Sequence, residues 1–545
     1  MSTVPVSLEA KSRGEVFTRQ WVVDLMLGLV EYTPDLDLST VRVVEPAVGS
    51  GAFWGPILDR LLGSFVGRND WGALAGALRG YDIHEQNIAT CRDLTIAKLS
   101  AAGCPAATAE MLVRGWLRTS DFLLTEHDQP ADLVIGNPPY IRIEQLEAEL
   151  LAAYRKAVPA MGGRADVFVG FYEHGLDLLA PGGRLAFICA DRWMRNAYGK
   201  KLRAKVVDGF AVDDVIVMHD ADAFESEVSA YPAITVLSRR PQAIARTATA
   251  ERTFGAGAAR DYLTWRTGGT ARVRTADVAA AAMPSWHETD DIWPDGSPEL
   301  QAWLERLAET LPLLECAADG TRLGIGVATG ADRVYVRRPP RLPDVESDRL
   351  LPMVTAADIK SGRFEWTGHH LINPWTPEGP VDLDDYPKLG AYYQAAGTQI
   401  TGRNIVKRSG PYWYRTIDRV NYPLLTRELL VMEDMKAEAH PVRVPRGFYP
   451  HHNLYWITSD AWELDALGGL LLSKVVEKQV GAYCVKMRGG TLRFQATVLR
   501  KVRAPRPADI APGVLEALAD AFRARDRYAA TVAAMHAFGL DCLPQ

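Results

Sequence analysis

At 545 residues the chain is too long for one ordinary domain and long enough for substantial buried cores, so two domains and a small appendage are expected. No apolar run is long enough to span a bilayer, and residues 1–11 lack the charged-then-apolar order of a secretory signal, which predicts a cytoplasmic protein with no membrane partner. A formal net charge of -6 excludes an all-round basic surface but leaves room for one basic face, and the six scattered cysteines, with no CxxC pair, predict neither a disulfide frame nor a zinc site.

The first half alternates short apolar strands with helical stretches, the pattern of a doubly wound α/β sheet. Val41 to Val44 reads as a strand. It runs into Glu45-Pro46-Ala47-Val48-Gly49-Ser50-Gly51-Ala52-Phe53, a small-residue turn that lets a ligand approach the backbone and that enters a helix carrying Leu58, Leu61 and Leu62. Leu78 to Ile83 is a second strand ending at Asp82, with a helix from Glu85. A third segment ends at Asp121-Phe122, and a fourth, Ala131 to Gly136, delivers Asn137-Pro138-Pro139-Tyr140. Each polar residue falls at a strand's carboxyl end, where open parallel sheets bind ligands. Further on, Asp166 to Leu179 reads as a helix, Arg184 to Ala190 as a strand and Trp193 to Val207 as another helix. Asp214 to His219 and Tyr231 to Leu237 pair across an acidic loop around 221–229 as a late hairpin.

Asn137-Pro138-Pro139-Tyr140 suits the gripping of a planar exocyclic amine. The Asn side chain and a backbone carbonyl offer acceptors, the prolines remove N–H donors while fixing the backbone, and Tyr140 offers a face for stacking. The chemistry this implies is methylation of an amino group. Asp82 and Asp121 at neighbouring strand tips can accept from hydroxyls and amines, with helix capping as the structural alternative for each. Ser50 is not a hydrolase nucleophile, because the GxSxG frame is absent.

Taken together, these segments resemble the gamma-class DNA adenine amino-methyltransferases such as the TaqI enzyme, in which cofactor motifs come first and a target-recognition domain last. The resemblance covers about the first half. It implies S-adenosyl-L-methionine as cofactor. Lys11 to Thr18 is similar to the family's N-terminal cofactor segment, with Thr18 at its Thr position. Glu45, Pro46, Ala47, Gly49 and Gly51 belong to its methionine-binding loop, which is glycine-richer here than in the TaqI enzyme. Asp82 and Ile83 fall where the ribose is gripped, and Asp121-Phe122 where the cofactor adenine is read. Phe171 falls at a further aromatic wall, with core packing as the alternative. The run Arg192 to Arg203 resembles the segment whose aromatic, here Tyr198, stacks on an extruded base, with Arg195, Lys200 and Lys201 near the phosphate backbone. The implied partner is double-stranded DNA carrying a specific short sequence.

The second half is less legible. Gln242 to Ala282 has no clear period and is expected to include the passage out of the catalytic domain. Gly324 to Val336 turns and alternates like β structure and resembles the opening of the recognition domain in TaqI-like enzymes. Basic and aromatic residues recur near Arg415 and in the run from Lys486 through Arg488 and Arg493. No Asp or Glu lies between Lys486 and Arg506, a charge asymmetry suited to phosphate contacts. His451 and His452 have no acid or Cys at ligand spacing, so turn or DNA-contact roles are expected and no metal. Residues after Ile510 read as an Ala-rich amphipathic helix.

The expected organisation is a catalytic domain over 1–265, a C-terminal α+β target-recognition domain over 266–509 and a helical extension over 510–545. The expected activity is adenine-N6 methylation of DNA in a bacterial restriction-modification or phage-defence system, by a monomer working beside a separately encoded restriction endonuclease. Cytosine-N4 methylation, RNA or protein amide methylation, and a non-catalytic DNA specificity protein are the alternatives. A fused nuclease is not expected, because the cofactor segment begins within about twenty residues of Met1.

Overall fold

Leu133 and Ile135 face one core and Val134 faces another, because successive side chains of a strand point to opposite sides. This alternation builds a sheet buried on both faces. In the computed structural model, which describes residues 17–127, 129–225, 231–295, 297–433, 435–436, 439–484, 492–493 and 496–544, the chain divides into two compact units, 1–301 and 302–545. Among the described residues no helix is long and apolar enough to cross a membrane.

The first unit holds ten strands: Val43–Glu45 (β1), Leu78–Asp82 (β2), Leu117–Thr119 (β3), Ala131–Gly136 (β4), Leu179–Ala190 (β5), Ala211–Val217 (β6), Pro232–Ser238 (β7), Ala245–Ala250 (β8), Arg272–Arg274 (β9) and Val278–Met283 (β10). Their order is β3-β2-β1-β4-β5-β7-β6-β8-β10-β9. β3, β2, β1, β4 and β5 are parallel, whereas β7 runs antiparallel between β5 and β6 as the expected hairpin. Helices Trp54–Ser64 and Ala106–Trp116 bury Trp54, Ile57, Leu58 and Leu112 with Val43 and Leu133 on one face. Helices Val167–Leu178 and Lys200–Gly209 bury Phe168, Tyr172, Leu202 and Val206 with Val44 and Val134 on the other. Strand order reverses between β1 and β4, which opens a crevice at their carboxyl ends.

Two expectations are corrected here. Residues 242–282 do not lead out of the unit: β8, helix Ala256–Thr267, β9 and β10 extend the same sheet, so the division falls after Gln301 and not after residue 265. Val278–Met283 carries a single β-branched residue, Val278, and no aromatic, so this Ala-rich strand takes its structure from its neighbours. Buried Asp214 of β6 fastens the helix, accepting from the Tyr262 hydroxyl at 3.1 Å and from Arg266 Nε at 3.0 Å. The helix expected over Trp193 to Val207 is likewise broken into Arg192–Arg195, a 3-10 turn Ala197–Gly199 and Lys200–Gly209. Arg203 reaches back to cap the carbonyls of Trp193 and Asn196. At Gly199 a Cβ would lie 1.8 Å from the Trp193 carbonyl oxygen, so this turn closes only on glycine.

In the second unit one four-stranded sheet runs Arg322–Ile325, Leu454–Thr458, Leu429–Glu433, Val442–Val444, and another runs Val336–Arg337, His370–Ile372, Leu350–Val354, Tyr449–Pro450. The C-terminal helices Pro512–Ala524 and Arg527–Phe538 are not a separate extension. The first lies on helix Leu464–Leu472, where Gly468 and Gly469 admit it so closely that a Cβ on Gly469 would meet the Leu518 carbonyl oxygen at 2.0 Å.

Candidate active site

Four successive strand ends meet at the crevice. Glu45 closes β1 and is 2% exposed, and its Oε2 has no hydrogen-bond partner among the described residues. Burial, and then the charge of Asp82, push its carboxyl well above the ordinary range. Between them the loop turns through Gly49 and Gly51, both at positive φ (51° and 94°), a conformation that glycine adopts without strain. Asp82 at the end of β2 holds that loop. Its Oδ2 accepts from Gly49 N at 3.0 Å and Asn87 Nδ2 at 3.2 Å, and its Oδ1 accepts from His84 N at 2.8 Å. A carboxylate has about four lone-pair sites, so about one is left for a ligand hydroxyl.

Beyond β3, Asp121 caps the 3-10 turn Phe122–Leu124, accepting from Leu123 N at 2.9 Å, while the Tyr154 hydroxyl donates to its other oxygen at 2.6 Å. Burial and this bond raise the Tyr154 phenol above its ordinary value. Phe122 and Phe171 stack with centroids 5.5 Å apart and planes 25° from parallel. After β4, Asn137 donates from Nδ2 to the Thr18 hydroxyl at 3.2 Å. Thr18, 5% exposed, sits on a short antiparallel bridge to Phe224 in the loop after β6.

One cleft is lined by Thr18, Glu45, Pro46, Ala47, Gly49, Asp82, Ile83, Asp121, Phe122, Asn137, Pro138, Pro139 and Phe171, so nearly every residue expected at the cofactor or the reacting amine is brought together. Gly51, Tyr140 and Tyr198 are outside its lining. Tyr140 donates to the Ile188 carbonyl at 3.4 Å and sets its ring edge-on to Phe224; Tyr198 is half-buried against the core. Tyr154, Phe17, Ser120 and Ile141 also line the cleft and were not expected. Tyr154 is the single buried residue of helix Ala148–Ala157, and its partner Asp121 is 33 residues away, so no local pattern marks it.

The basic residues fare differently. Arg195 is not a surface cation: at 6% exposure it ion-pairs with Asp191 and, at 3.7 Å, with Asp295, and Asp191 also meets His219 Nε2 at 2.5 Å. An aspartate four residues earlier and another a hundred later take it inward. Lys200 is exposed, 3.6 Å from Asp290; Lys201 is exposed and donates to the Pro159 carbonyl; half-buried Arg415 donates to the Ser409 hydroxyl at 3.0 Å. Lys486 and Arg488, and Lys11 to Val16, lie outside the described residues, and Arg493 lies on the short strand Leu492–Arg493 paired with Met435–Lys436. Arg195→Ala takes the guanidinium away from two buried aspartates, and we expect a loss of stability of about 3 to 5 kcal/mol, measured by urea unfolding. A loss below about 1 kcal/mol, the range of an exposed ion pair, would contradict the buried pairing.

A seven-strand core in this order, with β7 reversed and acids at successive strand ends, defines a class I S-adenosylmethionine-dependent methyltransferase. Comparison with known proteins narrows this. Residues 109–224 match the family model of the Eco57I restriction-modification methylase. The chain is 41% identical to the type II methyltransferase M.XhoI of Xanthomonas vasicola over 97% of each chain, and 41% identical to M.PaeR7I of Pseudomonas aeruginosa over 97% of this chain and 92% of that one. It belongs to this family of type II restriction-modification methyltransferases. The type IIL restriction-modification enzyme MmeI, solved in complex with DNA, has the same fold with a TM-score of 0.57, covering 96% of this chain and 74% of that one at 10% identity.

S-adenosylmethionine is the cofactor, and the cleft fits it. The molecule presents an ammonium and a sulfonium charge, ribose hydroxyls and an adenine ring. The cleft presents an unpartnered buried carboxylate oxygen on Glu45, remaining acceptor capacity on Asp82 and Asp121, and the stacked Phe122 and Phe171.

Proposed function

We propose that the protein is an adenine-N6 DNA methyltransferase, acting on double-stranded DNA that carries a specific short sequence. The observation that carries this reading is Asn137: its amide nitrogen is committed to Thr18 at 3.2 Å, in the same cleft as Glu45, Asp82 and Asp121. Because that nitrogen faces Thr18, the amide oxygen is the end presented to a substrate amine. Thr18 is thus a positioning residue for Asn137 as well as part of the cleft wall.

S-adenosylmethionine supplies an electrophilic methyl group on a sulfonium. The N6 amine of adenine is a poor nucleophile because its lone pair is delocalised into the ring. Asn137 Oδ1 and the Pro138 carbonyl accept its two hydrogens, which localises the lone pair and aims it at the methyl carbon. With the cofactor bound, the N–C bond would form as the methyl's bond to sulfur breaks, and Asn137 Oδ1 and the Pro138 carbonyl would hold the surplus proton on its way to solvent. Pro138 and Pro139 have no N–H to compete for the acceptors. An amine paired inside a duplex cannot reach this cleft, so the base leaves the stack, held between Tyr140 and Tyr198. Glu45, Asp82, Asp121, Phe122 and Phe171 bind the cofactor. The second unit recognises the target sequence, with Arg415, Lys486, Arg488 and Arg493 on the phosphate backbone and Lys200 and Lys201 adding contacts from the first unit. The enzyme works as a monomer, as the modification partner of a separately encoded endonuclease.

Nucleoside analysis of DNA from a methylation-free host expressing the protein tests the target base. N6-methyladenine is the expected product. N4-methylcytosine would overturn the adenine assignment while preserving the amine chemistry, and unmodified DNA would overturn the DNA activity itself.

A further inference from the structure

The pair His451-His452 has no acid nearby in sequence, yet the fold supplies one from 119 residues away. Asp332 opens the short helix Asp332–Tyr335, and its Oδ2 lies 3.1 Å from His451 Nε2. One donor atom from each of Asp332, His451 and His452 falls within 4.8 Å of the others. His452 Nδ1 is buried without a hydrogen-bond partner among the described residues.

The surroundings hold these side chains in place. His451 Nδ1 faces Asn453 Oδ1 at 2.8 Å, which turns Nε2 towards Asp332, and the Thr329 hydroxyl donates to Asp332 Oδ1 at 2.5 Å. Partners of this kind orient the ligands of metal sites. The backbone is equally constrained. A Cβ on Gly326 would lie 2.2 Å from the carbonyl oxygens of Pro450 and His451, and Val327 N donates to the Pro450 carbonyl at 3.0 Å, so the loop leading to Asp332 is laid directly on the histidine turn. Asp418, held by the Ala328 N–H at 2.9 Å, places a second negative charge near His452.

We propose that Asp332, His451 and His452 bind a divalent transition-metal ion of the zinc class. Two imidazole nitrogens and one carboxylate oxygen suit Zn2+, Co2+ or Ni2+, whereas Mg2+ and Ca2+ require oxygen ligands throughout. Tetrahedral bonds of about 2.0 to 2.1 Å bring ligand atoms about 3.3 Å apart, so closure needs a movement of about 1.5 Å or less, within reach of a side-chain rotation. Three protein ligands leave a fourth position for water. Asp332 is 45% exposed, which gives the ion an entry path. The ion would tie the loop at 326–332 to the turn between strands Tyr449–Pro450 and Leu454–Thr458 within the second unit. The proposal is independent of the methyl-transfer reading.

Titration of tag-free, chelator-stripped full-length protein with Co2+ tests this, followed by the visible d–d spectrum and by competition with Zn2+. One equivalent should bind with a tetrahedral or five-coordinate spectrum, Zn2+ should displace it, and the thermal unfolding midpoint should rise with metal. Asn453→Ala should weaken binding on the order of 10- to 100-fold, and His452→Ala and Asp332→Asn should abolish it while circular dichroism stays that of the wild type. Failure of the wild-type protein to bind either ion, or undiminished binding by His452→Ala, overturns the proposal. The wild-type titration decides the matter even where a variant does not fold.

Discussion

Replacement of Asn137 by alanine lowers the rate of methyl transfer on the order of 10²- to 10³-fold, equivalent to about 2.7 to 4 kcal/mol of transition-state stabilisation, the cost of deleting one preorganised polar group from an active site. The loss falls on kcat, because the amide oxygen acts most strongly as the amine becomes cationic in the transition state. In the proposed reading the cofactor rests on other strand ends of the same cleft, at Glu45, Asp82 and Asp121, so its binding should be largely retained. Single-turnover methylation alongside calorimetric titration with the demethylated cofactor separates the two effects. Unchanged turnover would sink the proposed mechanism. A weakened cofactor complex with unchanged single-turnover rate would move Asn137 from the reacting amine to the cofactor.

Substitution of Glu45 by glutamine weakens cofactor binding on the order of 10- to 100-fold near neutral pH, the range of a hydrogen bond to a charged group, and it also changes the pH dependence. In the free protein burial and the neighbouring Asp82 raise the Glu45 pKa well above its ordinary value, so the folded state holds the proton more tightly than the unfolded chain. This group therefore stabilises the free fold fully at low pH, and its contribution falls as pH rises from the ordinary carboxylate value through the raised folded one. The cationic cofactor favours the ionised carboxylate, so its affinity rises over that same window with release of a proton. Glu45→Gln should flatten the pH dependence of affinity and make the cofactor-free protein more stable than wild type above the ordinary carboxylate range. Calorimetry in buffers of different ionisation enthalpy counts the proton, and urea unfolding across pH reads the stability. No proton release by the wild type would show that Glu45 is already ionised in the free cleft.

Residues whose information is local were legible in the sequence. A buried strand announces itself by an apolar run, and a carboxylate or Asn-Pro-Pro-Tyr at its end is then placed at the ligand-binding edge by topology alone. For that reason β1, β2 and β4 and thirteen of the expected site residues stand together at one cleft. Strands of alanine were not legible, because β8 and β10 owe their structure to the edge of β6 and not to their own propensity. The broken helix after Asp191 was hidden as well, since it depends on Arg203 reaching back to two carbonyls.

Charge was the least readable property. Arg195 stands in a basic run and reads as a surface cation, but Asp191 and Asp295 draw it into the interior; Asp82 reads as an open acceptor, but its own loop and helix take most of its lone pairs. The sequence by itself determined the order of the strand-end elements, the Asn-Pro-Pro-Tyr tetrapeptide and the chemistry they suit, because these rest on residue type and on neighbours a few positions away. The tertiary structure alone decided which charges are paired or buried, that Tyr154 pins Asp121, that Thr18 orients Asn137, and that Asp332 meets His451. The last three join residues 33 to 119 positions apart, and only the closing of the chain sets such distances.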